Sequence, residues 1–296
     1  MASRDGTGSR TVIITGASTG IGEACALRLD NAGWRVFAGV RKEADGARLK
    51  QQASDRLTPI TLDVTDQPQI EAAAKTVAEA VGAAGIQGVV NNAGVSVNGP
   101  LEYLTSDDLR KQFEVNVVGQ IAMTRAFMEL VRKGRGRIVF IGSIAGKMAT
   151  PFLGPYCASK HAMEALSDSL RQELRPWGIP VALVEPGSIA TKIWEKGQVE
   201  ADEYEKHMPE EAVMRYSKAF DALREAAKKF EAAGIPPDRV ARSVEHALTS
   251  GRPRTRYVVG FDATMQRLLD DVLPDRLKDA FTARFLGLPS KPSGPE

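Results

Sequence analysis

The stretch that decides the fold is Thr11-Val12-Ile13-Ile14-Thr15-Gly16-Ala17-Ser18-Thr19-Gly20-Ile21-Gly22. Four residues of strand character run into a glycine-punctuated turn, and a helical pattern from Ile21 to Ala32 follows, closed by Gly33. The order strand, glycine turn, helix carries more weight than the glycines alone. Gly16 lets the chain turn off the strand, Gly20 lets backbone approach a ligand with no Cβ in the way, and Gly22 lets the helix lie close to the sheet. A helix N-terminus placed there offers free N–H groups and positive potential, which suits a phosphate. The spacing is GxxxGxG rather than the commoner GxGxxG.

Working outward, short apolar runs alternate with helical segments. Strands are expected at 36–40, 57–62, 88–90, 137–141 and 181–184, with a helix over 69–81 after Asp66-Gln67-Pro68, a long one over 106–132 and another over 158–175. Runs apolar on both faces and separated by crossover helices predict a parallel sheet covered on both sides. Beyond Thr191 the rhythm changes. A charged helix spans 208–233 with Val213, Phe220, Leu223, Ala227 and Phe230 on one stripe, then come a helix over 238–249, a seventh strand over 256–260 and Pro-punctuated helical pieces. The expected architecture is α/β, one Rossmann-type doubly wound domain over 11–296 with seven parallel strands. A polar tail over 1–10, a substrate lid over 193–235 and a C-terminal extension over 261–296 complete it.

The composition excludes several classes. A net charge of +2 over 296 residues does not suggest nucleic acid, and no apolar run is long enough to span a bilayer. Two cysteines, Cys25 and Cys157, build no disulfide framework, which fits a cytoplasmic protein. The three histidines show no metal-ligand spacing, so no metal is expected.

The tip of the second strand reads Val40-Arg41-Lys42. Dinucleotide folds place an acid here for the adenosine ribose, or an Arg nearby for a 2′-phosphate. Arg41 and Lys42 present two cations, and Ser18 or Thr19 adds a hydroxyl, so NADP(H) is expected over NAD(H). Further along, Tyr156-Cys157-Ala158-Ser159-Lys160 puts a phenol and an ammonium four apart on one helix face. A cation beside a phenol favours the phenolate and makes it usable for proton transfer. Ser143 follows the fifth strand at the carboxyl end, where open α/β sheets bind ligands.

Taken in order, TGASTGIG at 15–22, Asp63-Val64, NNAG at 91–94, Asn116, Ser143, Tyr156 with Lys160, and Pro186-Gly187 with Thr191 resemble the short-chain dehydrogenase/reductase family over roughly 11–191. The resemblance implies an oxidoreductase moving a hydride between a nicotinamide dinucleotide and a hydroxyl or carbonyl. It implies that Tyr156 moves the proton, Ser143 positions the substrate oxygen, Lys160 holds the nicotinamide ribose and tunes Tyr156, and Asn116 helps carry a water chain. It also assigns the dinucleotide to Thr15, Gly16, Ser18, Thr19, Gly20, Ile21, Gly22, Asp63, Val64, Asn92, Ala93, Gly94, Pro186, Gly187, Ile189 and Thr191. Family members often pair helices corresponding to 106–132 and 158–175, so a homodimer or homotetramer is implied.

The lid, the extension and the run Val36 to Arg41 are similar to the hydroxysteroid and retinol dehydrogenase subgroup. Val95, Val97, Ile144, Met148, Phe152, Leu153, Trp194 and Met208 are expected near the substrate, as suits a bulky apolar alcohol or ketone. Fatty-acyl or xenobiotic carbonyls are the alternative substrates. A non-catalytic dinucleotide sensor is the alternative class, but such proteins usually lose part of the Ser-Tyr-Lys set.

Overall fold

Alternate residues of each central strand point to opposite faces and find different helices there. The computed structural model describes residues 10–191, 202–289 and 291. Seven parallel strands, β1 (Thr11–Ile14), β2 (Arg35–Val40), β3 (Leu57–Thr61), β4 (Gly88–Asn91), β5 (Arg137–Ile141), β6 (Val181–Pro186) and β7 (Arg256–Val259), stand in the order β3-β2-β1-β4-β5-β6-β7. The order reverses between β1 and β4, and a reversal of this kind opens a ligand crevice at the carboxyl ends.

Val12 and Ile14 face a core with α1 (Gly20–Asn31), while Ile13 faces the opposite core with α3 (Gln67–Val81) and α5 (Gly119–Gly134). Phe127 and Phe140 fill the second core and are fully buried. The expected strands are present within one or two residues, and Asp66 caps α3 by accepting from Gln69 N at 3.1 Å. Three helices differ from expectation. The predicted 106–132 helix is broken into α4 (Ser106–Phe113) and α5 by a π-turn over Glu114–Val118. The short helix α2 (Glu43–Lys50) was not expected; its eight residues bury only Gly46 and Leu49, too few to show a period. The catalytic-motif helix α6 (Gly154–Glu173) starts earlier than predicted because Pro155 fits the first helical turn.

The segment after Thr191 is an excursion whose ends are tied together. Ile235 N donates to Ser188 O and Ala190 N to Ile235 O, both at 3.0 Å. Between them runs α7 (Glu210–Ala233); the expected lid residues Ile193, Trp194 and Gly197 lie outside the described residues, as does most of the 1–10 tail. The chain then forms α8 (Asp238–Thr249), β7, α9 (Phe261–Val272) and α10 (Asp275–Leu286). α9 exposes Phe261, Leu268 and Val272, and α10 exposes Leu277, Phe281 and Phe285.

Beside β7 lies a charged knot. Glu185 on β6 is fully buried and meets Arg256 of β7 and Arg267 of α9, each at 3.2 Å. Arg256 also reaches Glu164 at 2.9 Å and Asp168 at 2.7 Å on α6, and Lys147 meets Glu164 at 2.8 Å. Burial, and then the neighbouring Glu164, push the Glu185 carboxyl up to about 7.

Candidate active site

The glycine loop leaves β1 with Gly16 at φ 63° and Gly20 at φ 61°, both in the left-handed region. Gly22 is required for another reason: a Cβ there would stand 2.2 Å from Gly16 O and 2.5 Å from Asn92 Nδ2. Thr19 opens α1 without capping it by its side chain. The helix start therefore stays available to an anion. Behind the loop, Thr15 is fully buried, and its hydroxyl accepts from Asn92 N at 2.9 Å and Ala93 N at 3.0 Å. Asn92 Nδ2 donates to Thr15 O and Gly16 O at 3.0 Å. Thr15 thus ties the loop to β4 and presents nothing to a ligand, unlike its expected cofactor role.

One continuous cavity of about 1070 Å³ runs from this loop to the C-terminal helices. Gly16, Ser18, Thr19, Gly20, Ile21, Arg41, Asp63, Val64, Asn92, Ala93, Gly94, Pro186, Gly187, Ile189 and Thr191 all line it. Lys42 does not; it precedes α2 as an exposed cap residue and leaves Arg41 as the strand-tip cation facing the cleft. Sequence reasoning missed Arg48. It bonds Glu23 at 2.6 Å and Ser18 O from α2, so a cation braces the phosphate loop from outside.

Ser143, Tyr156 and Lys160 line the same cavity. Ser143 lies two residues beyond β5 and caps the next turn by accepting from Ala145 N at 3.2 Å. Tyr156 lies in the first turn of α6. Burial raises its phenol, and a hydrogen bond with the Ser143 side chain opposes the rise. Lys160 stacks its ammonium 5.6 Å from the Tyr156 ring centre and donates to Ile141 O at 2.9 Å. Burial lowers it to about 8. The expected phenol-lowering effect of Lys160 is not the ruling influence here, because both groups are desolvated together.

Asn116 is fully buried in the π-turn and turned toward backbone. Its Oδ1 accepts from Val95 N at 2.8 Å, and its Nδ2 donates to Val95 O at 3.0 Å and Ser159 Oγ at 3.2 Å. Four residues before it, Gln112 accepts from Val97 N at 2.7 Å and donates to Val95 O at 2.9 Å; four after it, Gln120 donates to Ala93 O at 3.0 Å. Three buried amides at steps of four hold the loop 93–97, and the wider π-turn offsets the drift an α-helix accumulates over such steps. The i, i+4, i+8 amide spacing was the available signal for Gln112 and Gln120.

Such a phenol, hydroxyl and ammonium beside a dinucleotide-shaped loop can pass a proton to or from a carbonyl oxygen while a hydride moves. The model of the short chain dehydrogenase family matches residues 10–201. The chain belongs to the short-chain dehydrogenase family.

Among relatives of this family member, the NADPH-dependent 3-dehydrocapnine reductase of Ornithobacterium rhinotracheale is 34% identical, covering 91% of this chain and 95% of its own length. Mouse retinol dehydrogenase 5 is 37% identical over 95% of this chain and 90% of its own. Human 17-beta-hydroxysteroid dehydrogenase type 6 is 38% identical with the same coverage. A short chain dehydrogenase of Burkholderia cenocepacia solved with NADP is 26% identical, covers 94% of this chain and 98% of its own, and has a TM-score of 0.67. One from Burkholderia phymatum solved with NAD shares the fold at a TM-score of 0.76 and 24% identity, over 97% and 98% of the two chains. This short-chain dehydrogenase is therefore an NAD(P)-dependent oxidoreductase acting on CH–OH donors or their carbonyls, of the hydroxysteroid and retinol dehydrogenase subgroup. No helix among the described residues is long and apolar enough to cross a membrane.

Proposed function

We propose that this dehydrogenase interconverts a hydroxyl and a carbonyl on a bulky apolar small molecule of steroid- or retinoid-like shape, with NADP(H) preferred. The observation that carries this reading is the apolar lining of the cavity that also holds Tyr156. Ile144, Met148, Phe152 and Leu153 stand on one side, Met208, Phe220, Leu223 and Phe230 on the lid side, and Phe261, Met265, Phe281 and Phe285 extend the lining outward. Apolar walls with a few convergent polar groups suit a large lipophilic ligand. Of the expected substrate-side residues, Val95 and Met208 also line the cavity, Val97 is buried behind it, and Trp194 lies outside the described residues. The names of the retinol and hydroxysteroid dehydrogenase relatives support the same class.

The donor set fits a dinucleotide: an uncapped helix start, glycines where a Cβ would intrude, and Arg41 at the strand tip. Bound nicotinamide would supply or receive the hydride. In reduction the Tyr156 hydroxyl gives its proton to the substrate oxygen, which the Ser143 hydroxyl holds by a second hydrogen bond. Lys160 would hold the nicotinamide ribose and keep positive charge beside the phenol. The Asn116 amide is engaged with Val95 and Ser159, so it would serve proton exchange by positioning the loop 93–97 beside the cleft. Residues 11–296 work as one domain with 202–235 as part of the lid. The outer faces of the π-turn with α5 and of α6, with Val118 and Leu166 exposed, pair copies into a dimer or tetramer.

The test is turnover of purified protein with NADPH and with NADH against all-trans-retinal, a ketosteroid, a long-chain acyl ketone and cyclohexanone. The expected result is a kcat/KM at least tenfold higher for retinal or the ketosteroid than for cyclohexanone. Preference for the acyl ketone would move the enzyme to the alternative substrate class.

A further inference from the structure

Among the described residues only two non-glycines have φ in the left-handed region, Arg135 at 47° and Phe152 at 67°. Arg135 ends α5 next to Gly136, a common way to stop a helix. Phe152 is the third residue of the turn Thr150-Pro151-Phe152-Leu153, closed by Leu153 N donating to Thr150 O at 3.1 Å, a position whose positive φ ordinarily calls for glycine or asparagine rather than a bulky side chain. A bulky residue in this conformation is strained, and strain of this kind persists where the surroundings hold it in place.

The Phe152 ring meets Tyr216 at 5.6 Å with planes at 88°, and Phe220 at 5.8 Å with planes at 63°. Both are edge-on contacts, the geometry aromatic pairs prefer. Tyr216 and Phe220 are four apart on α7, so a single ring of the cavity wall docks one turn of the lid helix. Tyr216 in turn packs on Tyr103 at 6.2 Å and bonds Glu102. The backbone of Phe152 is held as well: its carbonyl accepts from Gly99 N at 2.9 Å. The next residue, Leu153, accepts from Cys157 N at 2.9 Å and starts the turn that carries Tyr156. Phe152, Phe220 and Tyr156 all line the chamber.

Resting on the substrate reading above, we infer that Phe152 is a specificity-determining residue, a strained aromatic post on which the lid helix closes over a bulky substrate. A residue that relaxed the backbone would lose the ring, and a ring on a relaxed backbone would point elsewhere. The strain therefore aims the aromatic face at the lid. A ligand that fills the chamber touches the post and the lid together, whereas a small ketone leaves that contact unused.

The experiment compares Phe152→Gly, Phe152→Ala and Phe152→Leu in the full chain with NADPH. Glycine accepts the left-handed conformation without strain, so the Gly variant melts above the Ala variant; the reverse order would show that the backbone is not strained. In all three variants the ratio of kcat/KM for all-trans-retinal to that for cyclohexanone falls at least tenfold, chiefly through KM for retinal. An unchanged ratio overturns the proposal. Hydrogen exchange over 213–223 with NADPH alone needs no substrate, and it accelerates at least tenfold in Phe152→Gly. Unchanged exchange there overturns the docking post even if the substrate proves to be of another class, and a wild type inactive on retinal and ketosteroid refutes only the substrate reading.

Discussion

Tyr156 sits in a balance between burial, which holds its proton, and Ser143, which eases its release. The phenol is thus kept protonated at neutral pH, the form that would donate in the proposed carbonyl reduction. Oxidation of an alcohol needs the phenolate, so kcat/KM for oxidation should climb with pH while that for reduction falls over the same range, as paired pH profiles will show. Tyr156→Phe should lower turnover by about 10²–10⁴-fold, with NADPH affinity by fluorescence titration nearly unchanged. At the strand tip, Arg41 faces the cleft with no acid at Val40 to repel a phosphate. A charge-assisted hydrogen bond of about 1.5–3 kcal/mol corresponds to roughly a tenfold to hundredfold preference. Val40→Asp with Arg41→Ala should swing the kcat/KM ratio toward NADH, and a wild type already favouring NADH would refute the assignment. These residues were legible because proton transfer and phosphate binding need particular side chains at particular spacings. Lys42 and Thr15 were not: whether a side chain turns into a cleft or behind it depends on the neighbouring helix and strand.

At the scale of elements, parallel strands read cleanly because their two-sided burial leaves continuous apolar runs, as in Val181 to Val184. The break in the 106–132 helix did not, since Glu114-Val115-Asn116-Val117-Val118 has no proline or glycine to mark it. It follows from a tertiary demand: Val95 and Val97 need partners, and Gln112 and Asn116 supply them. Read alone, those amides look like the wet side of a surface helix. Asn116→Leu should therefore cost more than a surface change. It orphans the Val95 N–H while its carbonyl keeps Gln112, a loss of about 1–3 kcal/mol for one unsatisfied group. Urea unfolding measures the loss, and weakened NADPH binding should accompany it because the loop 93–97 borders the cleft.

Across the whole molecule, the C-terminal quarter joins the sheet through the apolar face of α8 and the pairing of β7 on β6, and a buried charge cluster adds a third link. The carboxyl of Glu185 is surrounded by Glu164 and Asp168 of α6, Lys147, Arg256 of β7 and Arg267 of α9, and it is raised from 4.5 to about 7. An acid whose pKa is raised by folding stabilises the fold below its unfolded value, and that contribution disappears as pH climbs through the folded one. The melting temperature of Glu185→Gln relative to wild type should thus rise between pH 4.5 and about 7 and then level off. A flat difference would mean that Glu185 is ionised throughout. None of this was legible beforehand, because Glu185 lies in an otherwise apolar strand and its partners are scattered along the chain. The same knot bears on the timing of synthesis. Glu185 leaves the ribosome roughly seventy residues before Arg256, an interval of several seconds at about 5–20 residues per second. Over that interval β6 carries a carboxylate awaiting its cation and forms the open edge of a half-built sheet. A nascent chain stalled there would be a natural client for a chaperone, and the arrival of β7 both neutralises the acid and covers the edge.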